Sequence, residues 1–287
     1  MTEMLPIVDA HVHLWNPNQF TMPWLADSPV LNRPYDLQMY QEQTRDLPIT
    51  AMVYIEVAVE PQEALREAHF IVDLARDEPR LRAIVPAAPL ENGMAVREYL
   101  ETLVALSPLI KGVRRNLQDE TGPDFCLQPA FVACTRLLAE FGLSFDLCIK
   151  HWQLPAALEL VRICPDTMFI LDHSAKPDIK QRSLDPWQTD LRKLAALPNV
   201  VCKISGLVTE ADHAAWQPAD LQPFITVVLE AFGEDRVLFG GDWPVALLAS
   251  PYARWYETLA TLTAHLPLSA KRKLWAENAQ RVYRLDS

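Results

Sequence analysis

Eight short runs rich in Val, Ile, Leu and Phe recur along the chain, near residues 7–13, 51–58, 81–87, 109–115, 144–150, 167–173, 199–205 and 236–242. The near-continuous apolar character of Ala51–Val57 is what a parallel strand covered on both faces requires. Between the runs lie stretches of helical period. Ala64, Leu65, Ala68, Ile71, Val72 and Ala75 mark one stripe, and Phe131, Cys134, Leu138 and Phe141 another. Pro61, Pro129, Pro155, Pro186, Pro218 and Pro251 stand where helices would begin, positions that tolerate a missing N–H. Strands alternating with helices predict a parallel α/β architecture, and eight of them predict a closed (β/α)₈ barrel. A doubly wound sheet is the alternative, but no GxGxxG follows the first run. At 287 residues, the chain suits one barrel of roughly 250 residues, so a single domain over 1–287 is expected, with its active site at the strand C-termini.

Half the residues are apolar and 22% are charged, a profile that excludes disorder. The net charge of −11 repels phosphate backbones, so nucleic acid is not an expected partner. Cys126, Cys134, Cys148, Cys164 and Cys202 are odd in number and show no CxxC spacing. They read as small buried hydrophobes in a reducing compartment. The opening MTEMLPIVDAHVHLW lacks a basic segment followed by an apolar one, and no apolar run reaches membrane-span length. A cytoplasmic protein without a membrane partner is the expectation. The longer connections, 14–50 and 115–143, carry Trp15, Trp24, Tyr35, Tyr40 and the Asn116–Phe125 run. Such loops shape an active-site mouth, or form a plug or an oligomer contact.

In a barrel, the strand ends give the candidate chemistry. The first ends Asp9-Ala10-His11-Val12-His13. Two imidazoles two residues apart share a face and form either a divalent-metal pair or a hydrogen-bonded pair in a polar pocket. The last ends Gly240-Gly241-Asp242-Trp243-Pro244, where Asp242 is a metal ligand, a general base or a helix N-cap. Strand 8 neighbours strand 1 in a closed barrel, so Asp242 and the histidines should converge. The sixth strand ends Asp172-His173-Ser174-Ala175-Lys176. His173 is a candidate ligand or proton shuttle, Lys176 a candidate substrate cation, and Asp172 a structural acceptor. Glu56 interrupts an apolar run, where an unpaired charge is costly, so it meets a cation or lies at the strand's mouth. Arg114, Arg115 and Lys203 suit a substrate carboxylate or polyol, or ion pairing with Glu56 or Asp242. Arg114 stands where a bridging carboxylated lysine would serve a two-metal centre, and Lys111 comes too early. There is no GxSxG elbow and no P-loop.

The ordered set DAHVHLW, GVRRNLQDE, LDHSAKP, VVCKISGLVTEAD and VLFGGDWPV resembles the amidohydrolase superfamily, in its amidohydrolase-2 branch. Within that branch it is most similar to the L-fucono- and L-rhamnono-lactone hydrolases, and more distantly to 2-pyrone-4,6-dicarboxylate lactonase. The resemblance spans nearly the whole chain and implies hydrolysis of a sugar-acid lactone. It implies that His11, His13 and His173 surround the lactone carbonyl, directly or through one divalent metal, with Asp242 taking a proton from water. Asp242 or His173 would return a proton to the leaving alkoxide. Arg114, Lys176 and Lys203 would grip substrate oxygens, and Trp15 and Trp243 would wall the sugar. Glu56 beside two histidines and Asp242 favours a metal, with zinc the metal of choice and Glu56 among its ligands. The alternatives are a pyrone-dicarboxylate lactonase, a zinc-dependent non-oxidative decarboxylase and a non-catalytic barrel that binds a sugar acid. A homo-oligomer is compatible with all of them.

Overall fold

The computed structural model describes residues 5–285. Residues 1–4, the head of the segment read for a leader, and 286–287 lie outside the described residues. All eight expected strands are present: β1 (Ile7–Val12), β2 (Ile49–Ile55), β3 (Leu81–Val85), β4 (Gly112–Arg114), β5 (Ser144–Leu147), β6 (Phe169–Leu171), β7 (Val200–Ile204) and β8 (Val237–Phe239). A helix follows each strand: α1 (Leu37–Thr44), α2 (Ala64–Leu74), α3 (Val96–Leu106), α4 (Pro129–Glu140), α5 (Leu154–Ile163), α6 (Trp187–Ala195), α7 (Pro218–Phe232) and α8 (Tyr252–Leu262).

Every strand pairing is parallel, in the orders β1-β2-β3 and β4-β5-β6-β7-β8. Short parallel bridges join the two groups into a (β/α)₈ barrel. Ile84 pairs with Ile110 and Ala87 with Arg114 on one side, and Val12 pairs with Trp243 on the other. Inside the barrel, Val8, Ala10, Val53, Ile55, Ala83, Val85, Ile170, Val201 and Leu238 pack together, with Tyr283 and Leu285 against the same cluster. A second, larger core lies between the sheet and the helices. The predicted stripes face it, with Ile71, Val72, Phe131 and Leu138 buried.

Proline acts as expected at the helix starts. Pro129, Pro155 and Pro218 occupy the first turns of α4, α5 and α7, and Pro251 caps α8. The five cysteines are buried and free. No helix among the described residues is long and apolar enough to cross a membrane. Tyr35 and Tyr40, from the long first connection, pack edge-on against Trp243.

Candidate active site

Strict alternation along β1 sends Val8 and Ala10 into the barrel and would turn His11 away from it. The pairing of β1 with β2 is instead irregular between Asp9 and Val12. Asp9 fixes that irregularity. It is fully buried and accepts backbone N–H groups from His11 at 3.1 Å and Gly241 at 2.7 Å, and the hydroxyls of Tyr40 and Tyr252 at 3.0 and 2.7 Å. The local break brings both imidazoles into the barrel mouth. On the closing side, His13 donates its backbone N–H to Trp243, and Asp242 donates to His11. The expected convergence of strands 1 and 8 is therefore present.

His11 and His13 meet Nε2 to Nε2 at 3.1 Å. Asp242 Oδ1 lies 3.7 Å from His11 Nε2, 3.6 Å from His13 Nε2 and 3.9 Å from His173 Nε2. Tetrahedral zinc with bonds of about 2.0–2.2 Å spaces its ligand atoms by about 3.3–3.6 Å. His11, His13 and Asp242 thus fit one divalent ion as a set. The donor chemistry agrees. His13 Nδ1–H donates to the carbonyl of Ile55 at 2.8 Å, which leaves the Nε2 lone pair of the neutral ring facing inward.

The segment after β6 is conformationally unusual. His173, Ser174, Ala175 and Lys176 all adopt positive φ, between 48° and 60°. Such residues persist only where the surroundings over-determine them. Here Trp187 Nε1 donates to the Ser174 carbonyl, Ser174 Oγ donates to the Lys203 carbonyl, and His151 Nδ1 meets the Lys176 carbonyl. The left-handed turn brings both His173 and Lys176 to the same cavity. Asp242 also has positive φ, 53°.

The electrostatics separate the roles of these groups. Burial alone would raise the Asp242 carboxyl, but His173, His13 and His11 outweigh it and hold Asp242 far below the usual range. Burial lowers His173 to about 4, against the pull of Asp242, and lowers His11 strongly. At neutral pH the site therefore presents a carboxylate facing neutral His11 and His173. His173 Nδ1 meets Ser205 Oγ at 2.9 Å, which fixes the ring plane.

A neutral buried His173 has a stability consequence. Unfolded histidine titrates near 6.5, so below that pH the unfolded chain binds a proton that the folded one refuses until about pH 4. Stability contributed at this position is therefore lost as pH falls from 6.5 towards 4. Urea unfolding of chelator-treated wild type and His173→Gln at pH 5 and pH 8 checks this. Wild type should lose ground relative to the variant at pH 5, and a pH-independent difference would sink the assignment.

Several expected residues lie elsewhere. Glu56 does not join the metal-binding set: its Oε1 takes Arg114 Nε at 2.6 Å and its Oε2 takes the Ala58 N–H at 2.5 Å. The buried carboxylate has found a guanidinium, so the metal-ligand expectation is corrected. Lys203 is likewise no substrate grip. It is fully buried beneath the histidines, its ammonium 2.6 Å from Asp146 and 2.9 Å from Asp172. Trp243 is 1% exposed, packed between Tyr35 and Tyr40, and not part of the cavity wall. By contrast Trp15, Arg114, Lys176, His13, His173 and Asp242 all line a cavity of about 230 Å³. Arg114 reaches it while bonded to Glu56 and 3.3 Å from Asp172. Lys176 lies 3.8 Å from Glu210, and Arg115 is taken by Glu91 and Glu120.

Sequence reasoning missed Asp9 and Asp146, and placed the wall residues Asn116, Gln118 and Asp119 only as part of a mouth-shaping loop. Asp146 carried a signal, since it interrupts an apolar strand as Glu56 does. The two long connections do shape the mouth, through Trp24 from one and Asn116, Gln118 and Asp119 from the other.

Gly206 is required at this floor. Its φ is +61°, and a Cβ there would stand 2.6 Å from both Asp242 Oδ2 and His173 Nδ1. Gly206→Ala should cost about 1–2 kcal/mol in backbone strain and, by displacing both groups, about 100-fold in kcat. Steady-state kinetics beside a thermal melt check this; a folded variant with wild-type kcat would contradict it.

The fold and the site together define a metal-competent hydrolase-type barrel, and the chain belongs to the amidohydrolase family, whose sequence profile (Amidohydro_2) its residues 8–285 match. It is similar to an L-fucono-1,5-lactonase of Burkholderia multivorans, at 31% identity over 97% of this chain and 96% of that protein. It is also similar to an L-rhamnono-gamma-lactonase of Scheffersomyces stipitis, at 24% identity over 97% and 98% of the respective chains. Among solved structures, an amidohydrolase from Burkholderia multivorans with bound zinc superposes with a TM-score of 0.87. That pair is 30% identical, with 97% of this chain and 99% of the other covered.

Proposed function

We propose that the protein hydrolyses a sugar-acid lactone of the L-fucono-1,5- or L-rhamnono-γ- type to the aldonic acid. The observation that carries this reading is the ionised Asp242 facing three imidazoles at the base of a cavity walled by Trp15 and Trp24. The lactonase names of relatives aligned over nearly the full chain support it.

His11, His13 and Asp242 would hold one divalent metal, zinc by its imidazole and carboxylate donors. When bound, it supplies Lewis-acid polarisation of the lactone carbonyl. Asp242 takes a proton from water as the water oxygen bonds to the carbonyl carbon. His173, neutral and held by Ser205, faces the same point and is placed to donate to or accept from the reacting oxygens. Collapse of the tetrahedral intermediate breaks the ring C–O bond, and the proton held by Asp242 passes to the departing alkoxide. Arg114 and Lys176 offer donors to ring and hydroxyl oxygens.

Charge favours an uncharged lactone over a dicarboxylate. Arg114 is already neutralised by Glu56 and Asp172, and Lys176 faces Glu210. Neither leaves an uncompensated positive charge, and Asp242 is an anion at the reacting point. A pH-indicator assay against L-fucono-1,5-lactone, L-rhamnono-γ-lactone and 2-pyrone-4,6-dicarboxylate, with and without chelator, tests the proposal. Acid release from the sugar lactones and not the pyrone is expected, with loss on chelation. Silence on every lactone with folded protein, or turnover confined to the pyrone, would overturn it.

A further inference from the structure

Beneath the histidine pair lies a buried charged layer with no part in the chemistry described above. The Lys203 ammonium stands 2.6 Å from Asp146 Oδ2 and 2.9 Å from Asp172 Oδ1, and all three side chains are inaccessible to solvent. Tyr283, from the chain's last helix (Asn278–Tyr283), donates its hydroxyl to the same Asp146 oxygen at 2.7 Å and lies under the ammonium. Lys203 is thereby locked in place from the barrel floor. Its remaining reach is upward, where Nζ lies within hydrogen-bond distance of His11 Nδ1, at 3.3 Å.

That contact favours one of the two placements of the His11 proton. The Ile55 carbonyl can only accept, so His13 Nδ1 holds a hydrogen and, in the neutral ring, His13 Nε2 is a bare lone pair. Read as a hydrogen bond, the 3.1 Å contact between the two Nε2 atoms then places the hydrogen on His11 Nε2. His11 Nδ1 is consequently bare, which matches the ammonium aimed at it. Asp172 Oδ1, which pairs with the Lys203 ammonium at 2.9 Å, also lies 3.3 Å from His11 Nδ1. It is the acceptor waiting for the other tautomer. Metal ligation through His11 Nε2 demands that other tautomer, with Nδ1–H donated to a carboxylate.

We propose that Lys203 and Asp172 contest the His11 proton, with Lys203 acting as a built-in opponent of metal binding and Asp172 as its promoter. The inference rests on the reading that His11, His13 and Asp242 hold a metal. Lys203 favours the tautomer that cannot ligate and adds a like charge beside the site. Asp172 favours the ligating tautomer and adds an opposite charge. The site then takes up metal less tightly than its three donors alone would, so its ion is exchangeable. Both are positioning residues, because they act through His11.

Opposite signs make the proposal testable. Zinc affinity of stripped protein, measured by competition with a chromophoric chelator, should rise at least about tenfold in Lys203→Met. It should fall about 10–100-fold in Asp172→Asn, the range for partners that orient a metal-binding histidine. A merely structural role would weaken both variants. Lys203→Met binding zinc no more tightly than wild type overturns the proposal. Should Lys203→Met fail to fold, nitrogen NMR of histidine-labelled wild type at pH 8 decides the matter. The expected result is His11 protonated on Nε2 in stripped protein and on Nδ1 after zinc addition. Protonation on Nδ1 in both states overturns it. A wild-type protein whose zinc uptake equals that of His13→Ala removes the metal reading itself, and this inference falls with it. Failure of the proton contest alone would instead leave wild-type uptake intact.

Discussion

Replacing Asp242 by asparagine should lower kcat for lactone hydrolysis by about 10²–10⁴-fold, the range for loss of a positioned general base. The substitution keeps shape and volume and removes only the capacity to take a proton and the negative charge. Asp242 is held ionised by His173, His13 and His11 against the opposing effect of burial, so at neutral pH the base form is fully populated. Its Oδ1 lies within 4 Å of all three imidazoles, so under the proposed metal site the substitution also weakens one of the three donors. Zinc content measured beside kcat separates the two effects. A variant with reduced zinc whose kcat recovers fully at saturating zinc would assign Asp242 to metal binding alone. Near wild-type kcat without added metal would reject both roles.

Arg114→Met should destabilise the fold by roughly 3–5 kcal/mol, the cost of leaving a buried charge without its partner. Arg114 is 4% exposed, and its guanidinium bridges Glu56 and Asp172 while also donating to the Glu56 carbonyl at 2.6 Å. Without it, Glu56 keeps, among the described residues, the Ala58 N–H, and Asp172 keeps Lys203 and His11. Chemical denaturation followed by tryptophan fluorescence measures the loss. The double variant Arg114→Met/Glu56→Gln should recover part of it, because one orphaned charge is removed with its partner. No recovery would show that Arg114 stabilises by packing rather than by charge. Of the two sequence readings, metal ligand and substrate cation or an ion pair with each other, Glu56 and Arg114 follow the second and are first of all partners.

All eight strands, and the helices marked by an apolar stripe or an initial proline, were legible because a barrel strand is buried on both faces and a barrel helix on one, which imprints separate periods on the sequence. The convergence of His11, His13 and Asp242 was legible too, since closure makes strands 1 and 8 neighbours. What failed was the assignment of individual charges at strand ends. Glu56 was recognised as a buried charge needing a partner and Lys203 as a substrate cation or ion-pair partner, but which partner each takes depends on side-chain direction across the barrel interior. Adjacent residues in a strand point to opposite faces, and the irregularity at Asp9–Val12 resets that direction where the site begins. Trp243 shows the same limit: it follows the key aspartate in sequence yet faces the helix layer.

Local patterns of hydrophobicity, proline and strand-end motifs thus determined the barrel and the end at which His11, His13, His173 and Asp242 gather. The tertiary structure alone decided which of the other buried carboxylates are consumed in neutralising Arg114 and Lys203. The reason is physical. Burial makes every unpaired charge costly, so pairing is settled by distances between residues far apart in sequence, and sequence spacing does not encode those distances.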